Sequence, residues 1–209
     1  MDFSLTNEQK MIIDTLKTFV EQELYPHEME VEKTNQIRPE LAAQIKQKAL
    51  DLGLYAANMP EEHGGAGLDT LTLCLMEREL GRANFGLQYI VALTSNISLA
   101  CKCDQIENYL LSRMRGHKDD CLAMTEPNAG SDVRSMQCRA ERNGDTFVIN
   151  GTKHFISHAD AADFVILFAA SGVEQTSRGP KKKITSFLID KGTPGFTVES
   201  GYNSVSHRG

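Results

Sequence analysis

The stretch Met124–Val133, MTEPNAGSDV, carries the residue types that hold an anion and the rim of a flat ligand against exposed backbone. Pro127 removes one amide donor and fixes φ, while Gly130 frees the chain for conformations that a Cβ forbids, so the loop can approach a ligand closely. Ser131 and the amides beside Gly130 would then form a phosphate cradle. Taken alone, the stretch reads equally well as a strand-to-loop turn in which Asp132 caps neighbouring amides. A second stretch, Ile149–Ser157 (INGTKHFIS), places the aromatic Phe155 two residues before the hydroxyl of Ser157. By themselves these two read as core packing and a strand-end hydroxyl. Partnership with Thr125 is what turns them into candidate ligand contacts. Glu126 is the nearest carboxylate, and its place inside the first stretch suggests a loop-stabilising or interdomain role rather than proton transfer. Metal chemistry is not expected. His154 and His158 stand four apart, but their segment reads as a strand without further ligands, and the five cysteines are odd in number with no CxxC spacing.

Helices come first among the elements that must position these residues. Thr6 with Gln9 makes a capping-box pattern, followed at helical spacing by Met11, Ile12, Leu16, Phe19, Val20 and Leu24 up to Pro26. A second helix starts near Pro39 and stops at Gly53, and a turn-rich connection, MPEEHGGAGLD, leads to Asp69 as N-cap of a third helix that ends at Gly81. Two more are expected over Leu87–Leu99 and Asp104–Arg115. After Gly116 the pattern changes to short alternating segments. Strands are expected over Cys121–Thr125, Met136–Glu141, Thr146–Ile149, Thr152–Ser157, Asp163–Ala170, Ile184–Asp190 and Phe196–Glu199. Asn143-Gly144 and Asn150-Gly151 supply hairpin turns. The fold class is therefore α+β, with an all-helical domain over 1–116 and an antiparallel β-domain over 117–209.

Composition narrows the partners. A net charge of -6 argues against an electrostatic grip on nucleic acid or an anionic membrane, and the basic run Lys181–Lys183 reads as a solvated hairpin tip. No apolar stretch approaches the roughly 20 residues of a membrane span, and MDFSLTNEQK lacks the features of a secretory leader. A cytoplasmic protein is expected. The last residues, GYNSVSHRG, contain no terminal helix, and an unfinished sheet would expose an edge. The β-domain is accordingly read as incomplete, the front portion of a longer protein.

In content, order and separation, MTEPNAGSDV, INGTKHFIS and the upstream MPEEHGGAG resemble the acyl-CoA dehydrogenase family, over essentially all 209 residues. The resemblance implies FAD in the β-domain, a helical C-terminal bundle beyond this chain, and α,β-dehydrogenation of an acyl-CoA thioester. Thr125 resembles the residue whose amide and hydroxyl bind the pyrimidine edge, with backbone of Leu122 and Met124 beside it. Gly130 and Ser131 match the pyrophosphate contacts, and Ser131 also a contact of the pantetheine arm. Phe155, Ile156 and Ser157 match positions along the flavin ring, where common members carry Trp for Phe155 and Thr for Ser157. Gln88, Tyr89, Ala92 and Leu93 would stand near the acyl tail or, equally, form ordinary helix core. The family's base is a glutamate on the C-terminal helical domain or near it in the fold, so no catalytic residue is assigned and the chain alone is expected to be inactive. The resemblance further implies an electron-transferring flavoprotein or similar acceptor, and a homo-oligomer at full length. Two alternatives stay open: an acyl-CoA oxidase-like flavoprotein, and a non-catalytic module that binds a ligand or partner.

Overall fold

The structure, a computed structural model, describes residues 4–91, 93–177, 179–199 and 202. Backbone contacts divide the chain between His117 and Lys118 into a helical unit and a sheet unit.

In the helical unit, α1 (Asn7–Phe19) begins with the capping box: Thr6 Oγ1 accepts from the Gln9 amide and Gln9 Oε1 from the Thr6 amide, both at 3.1 Å. The helix does not stop at Pro26. It widens into a π-helical turn (Val20–Leu24) and a 3-10 turn (Tyr25–His27), then resumes as α2 (Glu28–Thr34) and ends at Asn35 in the left-handed region. The change of pitch lets the chain pass a residue that has no amide to donate. α3 (Pro39–Asp51) buries Leu41, Ile45 and Ala49, and α4 (Thr70–Leu80) is capped by Asp69, which accepts from the amides of Leu71 and Thr72. Gln9 Nε2 donates to Thr72 Oγ1 at 3.2 Å, a buried polar link between α1 and α4. The core gathers Leu16, Val20, Leu24, Ile45, Met76, Leu80 and Leu110.

The helix expected over Leu87–Leu99 is absent as one element. A short α5 (Phe85–Tyr89), capped by Asn84, is followed by a separate 3-10 segment, Asn96–Ala100. The last expected helix is present as a π-helical stretch, Ile106–Leu111, running into α6 (Ser112–Met114).

The sheet unit contains β1 (Asp120–Ala123), β2 (Arg139–Asn143), β3 (Thr146–Asn150), β4 (Phe164–Thr176) and β5 (Gly179–Asp190). The sheet is mixed rather than antiparallel. β2–β3 and β4–β5 are antiparallel hairpins, whereas β1 runs parallel to β4 from Asp120↔Phe164 to Ala123↔Leu167, and β2 meets β4 in parallel at Arg139↔Ala170. Strand β4 thus changes partner along its length, and a bulge at Ser171 marks the change. The β2–β3 turn is Gly144-Asp145, with Gly144 at φ +61°. Two expected strands are not strands: 152–157 is an irregular loop, and 196–199 is unpaired, although Phe196 packs against the cluster of Cys121, Ala123 and Val165. Asn150-Gly151 leads into that loop instead of closing a hairpin. The lysines Lys181–Lys183 are exposed near the β4–β5 turn, and Lys182 Nζ donates to the Met136 carbonyl at 2.6 Å.

Candidate functional site

The loop that follows β1 leaves the edge of β4 after Ala123 and returns to it at Arg139. Within it, Glu126 and Ala129 exchange backbone hydrogen bonds of 2.9 and 3.2 Å around Pro127-Asn128. The Glu126 side chain turns inward and is 5% exposed. Its carboxylate accepts from the amides of Gln137 (2.6 Å) and Cys138 (3.0 Å) and from Lys153 Nζ (2.8 Å). Burial opposes its charge, but the hydrogen bond from Lys153, the two amides and the lysine's attraction prevail and hold the carboxyl below its ordinary value of 4.5.

Lys153 belongs to the second motif, so this buried pair fastens the two motifs together. The same ammonium donates to the Met124 carbonyl at 3.0 Å, and the His154 amide donates to the Thr125 carbonyl at 2.9 Å. These bonds explain why 152–157 is not a strand: its polar groups answer the first loop instead of a ladder. The bond from the His154 amide sets the Thr125 backbone beside His154, the residue that precedes Phe155.

Leu122 is exposed on β1, and Met124 and Thr125 are half-buried. Thr125 uses only its carbonyl; its amide and hydroxyl have no partner among the described residues. Ser131, its amide and the Gly130 amide are likewise exposed and uncommitted among the described residues, and so is the Ser157 hydroxyl. Ile156 is partly buried against the Cys121 cluster. Phe155 is 67% exposed and sits at φ +55°, a conformation uncommon for an aromatic residue and concentrated at functional sites. Its ring lies 4.0 Å from that of His154 and 5.0 Å from that of Tyr202, whose hydroxyl meets His154 Nε2.

Gly130 differs from expectation. Its φ is not positive and a Cβ there would meet nothing within 4 Å, so its backbone is an ordinary one facing open space. At the junction of the two motifs, the glycine that the packing requires is Gly151, where a Cβ would fall 2.6 Å from the Cα and Cβ of Cys138. A cleft of about 440 Å³ lined by Glu126, Pro127, Gln137, Arg139, Asn150 and Gly151 adjoins this contact, but it takes in neither Thr125 nor Phe155.

Gln88 and Tyr89 lie in the helical unit. Gln88 Nε2 donates to Glu77 Oε2 at 3.1 Å, and Tyr89 is half-buried with its ring 5.9 Å from Phe85. Leu93 is partly buried against the helical core, and Ala92 lies outside the described residues. Among the described residues no group of three or more His, Cys, Asp or Glu could hold a metal ion. Lys153, Gly151 and Tyr202 carry no signal in the sequence that separates them from ordinary surface or turn residues.

Family models for the acyl-CoA dehydrogenase N-terminal domain and middle domain match residues 6–112 and 121–209. This chain belongs to the acyl-CoA dehydrogenase family. It is 35% identical over its whole length to a probable acyl-CoA dehydrogenase, YngJ, of Bacillus subtilis, of which it covers 54%. Among solved structures, butyryl-CoA dehydrogenase from Megasphaera elsdenii superposes with a TM-score of 0.75 at 32% identity, over 94% of this chain and 52% of that one. A glutaryl-CoA dehydrogenase from Mycobacterium smegmatis in complex with FADH2 superposes with a TM-score of 0.81 at 25% identity, over 96% and 50%. The chain thus spans about half the length of the acyl-CoA dehydrogenases it matches. Helices followed by a mixed sheet is the order of that family's N-terminal and middle domains.

Proposed function

We propose that this chain forms the FAD-cradling part of an acyl-CoA dehydrogenase that introduces a double bond between the α and β carbons of an acyl-CoA thioester. The carrying observation is the junction of the two motifs through Lys153 and the His154 amide, together with the donors of Thr125, Ser131 and Ser157, uncommitted among the described residues, and the exposed ring of Phe155. That donor set fits FAD: the molecule presents acceptors along its pyrimidine rim, anionic oxygens at its pyrophosphate and a flat ring. In this reading Thr125, with backbone of Leu122 and Met124, holds the pyrimidine edge. Gly130 and Ser131 hold the pyrophosphate, with Ser131 also toward the pantetheine arm. Phe155, Ile156 and Ser157 line the ring. The bound cofactor supplies the hydride acceptor.

Glu126 is not the base of this reaction. Its carboxylate is buried, paired with Lys153 and held below its ordinary value by that ammonium and two backbone amides, which makes it a poor acceptor of a substrate proton. The α-proton therefore goes to a carboxylate elsewhere in the complete enzyme. Gln88, Tyr89 and Ala92 form part of the acyl wall, and an electron-transferring flavoprotein or similar acceptor reoxidises the cofactor. A homo-oligomer in the cytoplasm is the setting we assign; the thiols of Cys74, Cys101, Cys103, Cys121 and Cys138 are all free, as in a reducing compartment.

Mixing the purified chain with FAD, removing excess and recording the visible spectrum tests the cradle. A yellow protein is expected, with less flavin retained by Thr125→Ala and by Ser131→Ala. Equal retention by both variants would sink the assignment.

A further inference from the structure

The carbonyl of Met124 and the amide of Thr125 are the two ends of one peptide unit. Lys153 Nζ donates to the carbonyl end at 3.0 Å, and the amide end has no acceptor among the described residues. A cation on an amide oxygen draws electron density toward that oxygen and makes the N–H at the other end a stronger donor, as in a chain of hydrogen bonds. The lysine side chain is 7% exposed, so water screens this effect little. Glu126 Oε1, 2.8 Å from the same ammonium, opposes it with a negative charge.

We infer that Lys153 acts through the Met124–Thr125 peptide as a positioning residue that favours, at the Thr125 amide, an acceptor atom bearing more negative charge. A redox ligand seated there is then held more tightly in its reduced form than in its oxidised form. The inference rests on the FAD reading above, because two-electron reduction adds negative charge to the pyrimidine rim that Thr125 is assigned to hold. Fixed charge and hydrogen bonds near a cofactor are the protein's means of tuning it. The two members of the pair act with opposite sign. Removing the ammonium weakens the preference for the reduced form, and removing the carboxylate charge strengthens it. A lysine that merely kept the loop in shape would move both variants the same way.

The experiment is the midpoint potential of FAD on the whole chain, followed by the visible spectrum, for wild type, K153Q, K153R and E126Q. K153Q is expected to shift to more negative potential, E126Q to less negative, and K153R to stay with wild type. A tenfold change in the preference for the reduced form reads as about 30 mV for a two-electron couple. Shifts of the same sign in K153Q and E126Q, or no shift in either, overturn the inference and leave the FAD reading in place. A wild-type chain that retains no FAD overturns both. Should K153Q not fold, the sign of the E126Q shift decides.

Discussion

Lys153 and Glu126 form a charge pair whose side chains are 7% and 5% exposed, and each depends on the other for compensation. Removing one partner of such a pair strands a charge, so Lys153→Ala is expected to cost about 3–5 kcal/mol, read as a lowered denaturant midpoint. The pH dependence has a definite sign. The folded-state value of Glu126 lies below its ordinary 4.5, so its contribution is fully present above that value and is lost as pH falls through the depressed one. Acid titration followed by circular dichroism should show stability eroding below about pH 4.5, with a shallower acid limb in Glu126→Gln. The two glycines make a contrasting pair. Gly151→Ala drives a methyl into Cys138 and should destabilise by about 1–3 kcal/mol, whereas Gly130→Ala meets open space and should leave the melting curve unchanged. Glycines of both kinds sit in turn-like sequence, and only the neighbouring chain, Cys138, distinguishes the required one. Lys153 was illegible for the same reason: its burial depends on a carboxylate that folds back from a loop well upstream.

At the level of elements, local chemistry was readable wherever the bonds are local. The Thr6–Gln9 box and the Asp69 cap close within three residues, and the helices they start are present. Thr6→Ala should therefore lower stability by about 1 kcal/mol, measurable by chemical denaturation, with no change in FAD retention. The hairpin at Gly144-Asp145 is equally local. Elements failed to follow the pattern where a distant partner intervenes. The segment 152–157 carries the strand-favouring residues Thr152, Phe155 and Ile156, yet its amide and ammonium groups bond to Met124, Thr125 and Glu126, and it has no ladder. Parallel pairing of β1 and β2 with β4 is also invisible to a reading by alternation, because alternation fixes which face is buried and not which strand lies alongside. The helix expected to run through residue 99 shows the limit of periodicity. Apolar spacing continues past Tyr89, but the chain turns and Asn58 donates to the Thr94 carbonyl at 2.7 Å, holding that stretch as a loop.

For the molecule as a whole, a ligand that binds only the folded state raises its stability. FAD at about 100 times its Kd should add about 2.7 kcal/mol, seen as a higher melting temperature that Thr125→Ala diminishes. Thiol labelling offers a second check on the fold. Cys74 and Cys103 are exposed and should react in the native protein, while Cys138 and Cys121 are buried and should react only after denaturation; burial raises both thiols, that of Cys121 to about 12. Among the described residues no helix is long and apolar enough to cross a membrane. The attachment of both β1 and β2 to one edge of β4 also sets an order of events in folding. Both motifs precede β4 in the chain, and Asp120 pairs with Phe164, 44 residues later. Such non-local pairing is slow because loop closure comes before any gain in contacts. A nascent chain that has left the ribosome with both motifs complete, but without β4, would carry the side chains proposed above to cradle FAD and no edge to hold them in register. Cofactor capture during synthesis therefore has to wait for β4.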